Sequence, residues 1–188
     1  MDARTPNDYF ETALDLLAED GPKGITIASL CRRLEVTKGS FYHHFASVPA
    51  FLDRLYEYWE HRGEEATLRS LAETDPVGRL EVAKLEGTWG LHHEAETAIR
   101  ALARDDPRAA DVLARVDQLR EDGLQLAFEL AGIEPDRARV LARIGIAILI
   151  GTQQREHPVD RRQLQTTFDE YQRWLEAAIT LPAASPAP

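Results

Sequence analysis

Apolar residues recur along almost the whole chain at the three-and-four spacing of an amphipathic helix, and no run alternates as a strand would. The first apolar stripe begins at Phe10, and Gly21-Pro22 ends it. Later segments with the same period cover residues 77–91, 93–104, 107–131, 135–154 and 160–180. The pattern predicts an all-α fold, followed by a Pro/Ala/Ser-rich tail over 182–188 that we expect to be disordered.

Two short helical segments follow the first stripe, and each opens on a threonine suited to cap a helix. Thr26 precedes the first segment and Thr37 the second, and only a short turn separates them. Two short helices joined in this way form a helix-turn-helix unit. A long helix capped by Ser47 comes next. The sequence therefore predicts a three-helix helix-turn-helix DNA-binding domain over residues 1–46 and a larger helical domain over 47–181.

The second short helix carries two different faces. When its residues are wound at about 100° each, Phe41 and Phe45 lie together on a side that should be buried. Gly39, Ser40 and His43 lie opposite. A glycine lets the backbone come close to DNA, and serine and histidine can hydrogen-bond to base edges. This face is predicted to read the major groove.

Phosphate contacts are expected from residues around the same face. Lys38 and the Tyr42 hydroxyl share one flank, and Arg32 comes from the preceding helix. The free N–H groups beside Thr26 and Thr37 add anion sites at two helix starts.

Charge supports this assignment although the chain as a whole is acidic. A net charge of −10 spread evenly over 188 residues would repel nucleic acid. Residues 21–45, however, carry four basic side chains and one acid, a local charge of +3 with both histidines neutral. Such a local reversal indicates a nucleic-acid-binding surface.

The segment ITIASLCRRLEVTKGSFYHHFASVPAFLDRL resembles the N-terminal DNA-binding region of TetR-family (TetR/AcrR) bacterial transcriptional regulators. With the preceding helix, DYFETALDLLAEDG, the resemblance covers residues 7–58. It implies a ligand-responsive homodimer, most often a repressor, that a small molecule releases from a palindromic operator in double-stranded DNA. Three positions depart from the family's pattern. Glu35 stands where a turn glycine is usual and must tolerate a positive φ, Val48 stands where a lysine is usual, and Arg4 is the one basic residue of the N-terminal arm.

The larger helical domain carries more aromatic surface than a thin bundle needs. The resemblance implies a ligand-binding cavity there, for an apolar or aromatic effector. Each aromatic residue has an ordinary position in the core as its alternative. The residues expected at the cavity wall are Tyr56, Trp59, Leu85, Trp89 and Phe128.

The segment ARIGIAILIG is apolar on nearly every side, and such a helix must be covered all round. Paired with the last helix across a two-fold axis, it would form a four-helix bundle between two subunits, which the resemblance also implies. Burial inside one subunit is the alternative. The residues expected at this dimer interface are Ile144, Ile148, Phe168, Tyr171 and Trp174.

Other chemistry is poorly represented in the sequence. The chain has no Gly-rich phosphate loop, nucleophile elbow or paired-carboxylate signal, so we expect neither an enzyme nor a cofactor. The run His92-His93-Glu94 invites a metal site, but adjacent helical residues diverge, and a polar helix junction is favoured.

The single cysteine, Cys31, lies on an apolar stripe, which favours core packing over a thiol sensor. One cysteine excludes an intrachain disulfide and fits a cytoplasmic protein. The longest apolar run is far too short to span a bilayer, so no membrane partner is expected. The alternative function is a helical ligand-binding or interaction protein that has lost DNA binding.

Overall fold

The computed structural model of the protein describes residues 4–180, with side chains up to residue 175. Within that range the chain forms nine α-helices and no β-strand, which confirms the predicted all-α fold. The tail predicted over 182–188 lies outside the described residues. The helices are α1 (Pro6–Asp20), α2 (Ile27–Leu34), α3 (Lys38–His44), α4 (Val48–Ala72), α5 (Pro76–Leu85), α6 (His93–Leu102), α7 (Pro107–Leu130), α8 (Pro135–Arg155) and α9 (Arg161–Thr180).

Side-chain caps set the starts of α2, α3 and α4. Thr26, Thr37 and Ser47 each accept a hydrogen bond from the backbone N–H three residues further on, at 3.0, 3.3 and 3.2 Å. Each bond satisfies an N–H that has no partner inside its helix. The predicted starts of these three helices are therefore confirmed.

The turn between α2 and α3 contains a residue in the left-handed region. Glu35 has φ 56° and ψ 42°, as its place in the turn predicts. Its N–H and that of Val36 bond back to the last turn of α2, and the second bond, to the Cys31 carbonyl, measures 2.9 Å. These bonds end α2 and fix the direction in which α3 leaves the turn.

The largest hydrophobic core joins α1, α2, α3 and the start of α4 to α6 and the first half of α7. Tyr9 of α1 is fully buried at its centre, and its ring centroid lies 6.0 Å from that of Phe41 and 5.5 Å from that of Phe45. Ala95 and Ile99 of α6 belong to the same core and are also fully buried. The core is thus continuous across the domain boundary that the sequence predicts after residue 46.

Two smaller clusters hold the C-terminal helices together. Phe128, Leu141 and Leu175 join α7, α8 and α9. Leu149 and Leu164 join α8 to α9 nearer the other end of α8. In the part of the chain that is described, no helix has both the length and the apolar character required to cross a bilayer.

The segment predicted as one helix over 77–91 is interrupted. Residues Glu86–Gly90 form a π-helical turn directly after α5. The Thr88 carbonyl accepts hydrogen bonds from the His93 ring at 3.0 Å and from the Arg161 guanidinium at 3.2 Å. These bonds connect the turn to α6 and α9. They favour a π-helical turn here over a continuation of the α-helix. Thr88 is fully buried as a result, and its neighbour Trp89 is 48% exposed.

Candidate DNA-binding face and ligand cavity

Aromatic packing holds α3 by its inner face. Phe41 and Phe45 are 0% and 2% exposed, as predicted. On the outer side Lys38 and His43 are exposed, and Tyr42 is 55% exposed. The short helix therefore presents a polar surface from a rigid aromatic base.

Ser40 is placed differently from the sequence prediction. Its Oγ lies 2.9 Å from the hydroxyl oxygen of Tyr9, which is fully buried. The side chain is only partly exposed. Tyr9 belongs to α1 and is 31 residues away in sequence, but the fold places it beneath α3. The Ser40 hydroxyl is therefore bonded to the core and does not point freely outward.

Gly39 lies on the exposed side of α3 with open space around it. A Cβ built at this position would meet no atom nearer than the Thr37 Oγ1, at 3.5 Å. The packing of the protein itself therefore does not require glycine here. Glycine destabilises a helix relative to alanine. A close approach by another molecule would explain its presence.

Exposed cations without an acidic partner occur in the first three-helix region. Among the described residues, Lys23, Arg32 and Lys38 form no salt bridge. Arg33, which contributes to the local charge of +3, instead forms a salt bridge with Glu19 of α1. Its charge is thus largely matched, while the other three remain available to an anionic partner.

The two threonines expected at anion sites are exposed at their helix starts. The side-chain oxygens of Thr26 and Thr37 cap α2 and α3 themselves. Only the other N–H groups of each first turn can therefore meet an anion.

A cavity of about 130 Å³ lies between α4, α5, α7, α8 and α9. An apolar cavity of about 150 Å³ can hold a ligand the size of benzene, so this space suits a small molecule. Glycines of α4, α7 and α8 also line it. Most of its wall is apolar and includes Leu80, Leu124, Phe128, Ile146, Leu149 and Phe168.

The residues predicted at the cavity wall lie in different environments in the structure. Phe128 lines the cavity. Trp59 lines an adjoining cleft of about 170 Å³ between α1, α4, the start of α6 and Arg120 of α7, which is part of both walls. Tyr56 is 2% exposed in the largest core, and Leu85 and Trp89 are 41% and 48% exposed. The wall of the cavity therefore contains only Phe128 of the five predicted residues, and the placement of the other four is a correction. Trp89 lies in the π-helical turn, where its side chain is exposed.

A buried ion pair that the sequence analysis missed closes one side of the cavity. Arg120 of α7 lines the cavity and donates to both carboxylate oxygens of Glu96, with Nη1 at 3.1 Å. Gln153 of α8 donates to the same carboxylate at 2.9 Å. Burial would raise the pKa of Glu96, but the charge and hydrogen bonds of Arg120 and the bond from Gln153 lower it, so Glu96 is ionised. The three residues lie on different helices, so no local pattern could reveal them.

The adjacent histidines have separate partners. The His92 ring lies 3.3 Å from Asp15 of α1. The His93 ring is fully buried, with Nδ1 3.1 Å from the amide nitrogen of Gln153, and burial lowers its pKa. The described residues contain no group of three or more side chains that could hold a metal ion.

Solved structures with the same fold cover nearly the whole chain. A transcriptional regulator from Rhodococcus sp. Rha1 matches with a TM-score of 0.74 and 18% identity, over 95% of this chain and all of that chain. A TetR transcription regulator from Haloarcula marismortui matches with a TM-score of 0.71 and 17% identity, over 88% and 95% of the two chains. AibR, solved in complex with isovaleryl coenzyme A and operator DNA, matches with a TM-score of 0.62 and 23% identity, over 86% and 94%.

The N-terminal helices also match at the level of sequence. Residues 10–55 fit the family model for bacterial regulatory proteins of the tetR family. The class A tetracycline repressor from transposon 1721 of Escherichia coli is 44% identical over 52 residues, which are 28% of this chain and 24% of the repressor. Residues 10–55 therefore resemble the N-terminal domain of tetR-family regulators in sequence, and the rest of the chain shares only their fold. The alignment spans about a quarter of that repressor. The Rhodococcus and Haloarcula proteins are also described as regulators of transcription.

Both α8 and α9 carry exposed apolar residues. Val140 and Ile144 are 56% and 36% exposed on successive turns of α8, and Trp174 of α9 is 67% exposed. Val140 and Ile144 lie four residues apart, so they share one face of α8.

The other residues predicted at a dimer interface are partly buried and make contacts within the subunit. Phe168 and Tyr171 line the cavity, and the Tyr171 hydroxyl donates to the Leu141 carbonyl. Ile148 is half-buried against the cluster formed by α8 and α9. The apolar stripe on α9 therefore serves the cavity as well as the outer surface, which its period alone could not distinguish.

Proposed function

We propose that this protein is a cytoplasmic, homodimeric regulator of transcription of the TetR family, a repressor that a small molecule releases from a palindromic operator. The observation that carries the proposal is the two-sided α3, with a polar outer face on a buried aromatic base. In a helix-turn-helix unit the second helix enters the major groove, with its N-terminal residues at the base edges.

The outer face divides into positioning and reading contacts. Lys38, Arg32 and the Tyr42 hydroxyl are exposed and suited to phosphates, which fix the position of the helix. His43 can donate to or accept from a base edge. Gly39 permits a close approach of the DNA backbone. This approach would explain why position 39 is a glycine although the protein has room for a methyl group there.

The α8 and α9 surface supports a dimer. A two-fold axis would pair the patch of Val140, Ile144 and Trp174 with its own copy, as in most soluble dimers. The same axis would hold two copies of α3 at a fixed separation, about 34 Å for successive half-sites of a palindrome.

The cavity supports control by a small molecule. AibR, which has this fold, was solved with both isovaleryl coenzyme A and operator DNA. Here α6 carries Glu96, bonded to the cavity residue Arg120, and also Ala95 and Ile99, which share a core with α1. A ligand that favours a different position of α6 would therefore shift the DNA-binding helices as well.

The salt dependence of DNA binding tests this role of α3. For a duplex selected from a random-sequence library, Lys38→Ala should reduce the slope of log Kobs against log salt by about 1, because one phosphate contact is lost. Arg33→Ala is the matched control, since the Arg33 guanidinium is already paired with Glu19. Equal slopes for the parent and Lys38→Ala would overturn the assignment, and an absence of any duplex binding would favour the ligand-binding alternative.

A further inference from the structure

We infer that the cavity between α4, α5, α7, α8 and α9 selects an uncharged, mainly apolar ligand and rejects ionised molecules of the same shape. This inference rests on the proposed function, because it takes the cavity as the effector site. It concerns which chemical class of molecule enters, and it follows from how each charged group in the wall is matched.

Three charged side chains reach the described wall of the cavity: Lys84, Glu86 and Arg120. The Glu86 carboxylate accepts two hydrogen bonds from the Arg69 guanidinium of α4, at 2.7 and 3.0 Å. This fork-to-fork geometry uses both carboxylate oxygens and matches the negative charge.

Lys84 is matched by two acids. Its Nζ lies 2.6 Å from Asp169 of α9 and 2.7 Å from Glu81 of α5, and its side chain is only 11% exposed. Burial would lower the pKa of Lys84, but the bonds to Asp169 and Glu81 raise it, so the ammonium stays charged. With two carboxylates around one ammonium, an incoming anion meets no unmatched positive charge. The surplus negative charge lies on Glu81 and Asp169, which are each 44% exposed and are not among the residues of the wall, so a cation inside the cavity finds no direct partner in them.

Arg120 is matched even more closely. It binds Glu96 through two nitrogens, and Glu96 is 1% exposed. A ligand carboxylate that took the Arg120 guanidinium would leave Glu96 buried without its partner, which is strongly unfavourable. The pair therefore acts as a neutral wall.

An ionised ligand that enters the cavity would thus lose its bound water and would find no unpaired opposite charge among the described wall residues. Burying a charge without a partner is costly, whereas burying an apolar body is favourable. A ligand hydroxyl remains acceptable, because Thr67 and Ser70 also line the space and their hydroxyl oxygens can each accept a hydrogen bond. The ligand class that fits is a small neutral molecule whose ring or branched apolar body is about the size of benzene, with any polar substituent extending through the open side of the cavity.

Three probes with one shape and different charge test the inference on the full-length protein. Isothermal titration at pH 7 compares 2-phenylethanol, phenylacetate and 2-phenylethylammonium. We expect the alcohol to bind at least about tenfold more tightly than either ion, a difference of about 1.4 kcal/mol. Equal or tighter binding of either ion would overturn the inference, and so would a failure of the alcohol to bind at millimolar concentration.

Two variants of α5 locate the binding. Ala83 lines the cavity, and Ala83→Phe should fill it and abolish binding of 2-phenylethanol. Val77 is 61% exposed on the same helix, and Val77→Phe is the matched control that should bind like the parent. Unchanged binding by Ala83→Phe would place the probe elsewhere and contradict the inference.

Glu96→Gln tests the neutral-wall argument directly. Removing the Glu96 charge leaves Arg120 unmatched beside the cavity, so the affinity for phenylacetate should rise about tenfold while that for 2-phenylethanol stays the same. An unchanged affinity for phenylacetate in a folded variant would contradict the argument. If the variant does not fold, the three probes on the parent protein still decide.

These measurements need no DNA. A parent protein that binds the alcohol selectively but binds no duplex would refute the proposed function and leave the ligand class standing. A protein that binds its duplex but prefers phenylacetate would refute the inference alone.

Discussion

Folding does not require a glycine at position 39, because the protein leaves room for a methyl group there. A substitution of Gly39 can therefore distinguish an effect on folding from an effect on DNA binding. Gly39→Ala should leave the free energy of unfolding unchanged or raise it by about 0.5–1 kcal/mol, since alanine is the better helix former. The same methyl group would lie between α3 and the DNA, and we expect affinity to fall at least about tenfold.

Urea unfolding and fluorescence anisotropy with a selected duplex measure the two effects of Gly39→Ala. Tight DNA binding by this variant would show that the DNA backbone does not approach α3 at Gly39.

Ser40 shows the reverse case, in which a residue on the recognition helix serves the core. Ser40→Ala removes the partner of the fully buried Tyr9 hydroxyl and should reduce the free energy of unfolding by about 1–2 kcal/mol. His43→Ala, at an exposed position of the same helix, should change it by less than about 0.5 kcal/mol. Urea denaturation measures both changes.

A second substitution assigns the effect of Ser40→Ala to the hydrogen bond. In the Tyr9→Phe background, the additional loss caused by Ser40→Ala should nearly disappear, because the two residues act as a pair. An equal loss in both backgrounds would mean that the hydroxyls do not stabilise each other.

At the scale of whole elements, helix starts could be predicted because their determinants are local. Thr26, Thr37 and Ser47 each cap the helix that follows within three residues, so the sequence contains both partners. The break in the segment 77–91 could not be predicted, because it depends on bonds from distant helices to the Thr88 carbonyl.

The proposed pairing of α8 and α9 between two subunits can be tested by a single substitution in α8. Ile144→Glu places a charge in the proposed interface, and because Ile144 is 36% exposed the subunit itself should still fold. We expect a monomer that has lost operator binding although its DNA-facing residues are intact. Val77→Glu, an aliphatic-to-glutamate change at a 61% exposed position of α5, should remain dimeric.

Equilibrium sedimentation at micromolar concentration checks the pairing. A monomeric parent protein would refute it, and so would an Ile144→Glu variant that stays dimeric and binds its operator.

At the scale of the whole molecule, the sequence shows that a helix has a buried face but not what covers it. The apolar stripe of α1 was evident, yet its packing on Ala95 and Ile99 of α6 appears only in the fold. Phe168 and Tyr171 were expected at a subunit interface from the period of α9 alone, and the fold shows that they also line the cavity. Through-space contacts therefore determine how the cavity and the DNA-binding helices are connected.

The most direct test of the account is the selection of duplexes by the purified full-length protein from a random-sequence library. A dimer that reads two major grooves should enrich an inverted repeat whose half-sites are centred about 10 bp apart, or a multiple of that spacing. Lys38→Ala should bind the enriched sequence more weakly, at the same spacing. Enrichment of an unrepeated site, or no enrichment over the starting library, would contradict the proposed role as a dimeric operator-binding regulator.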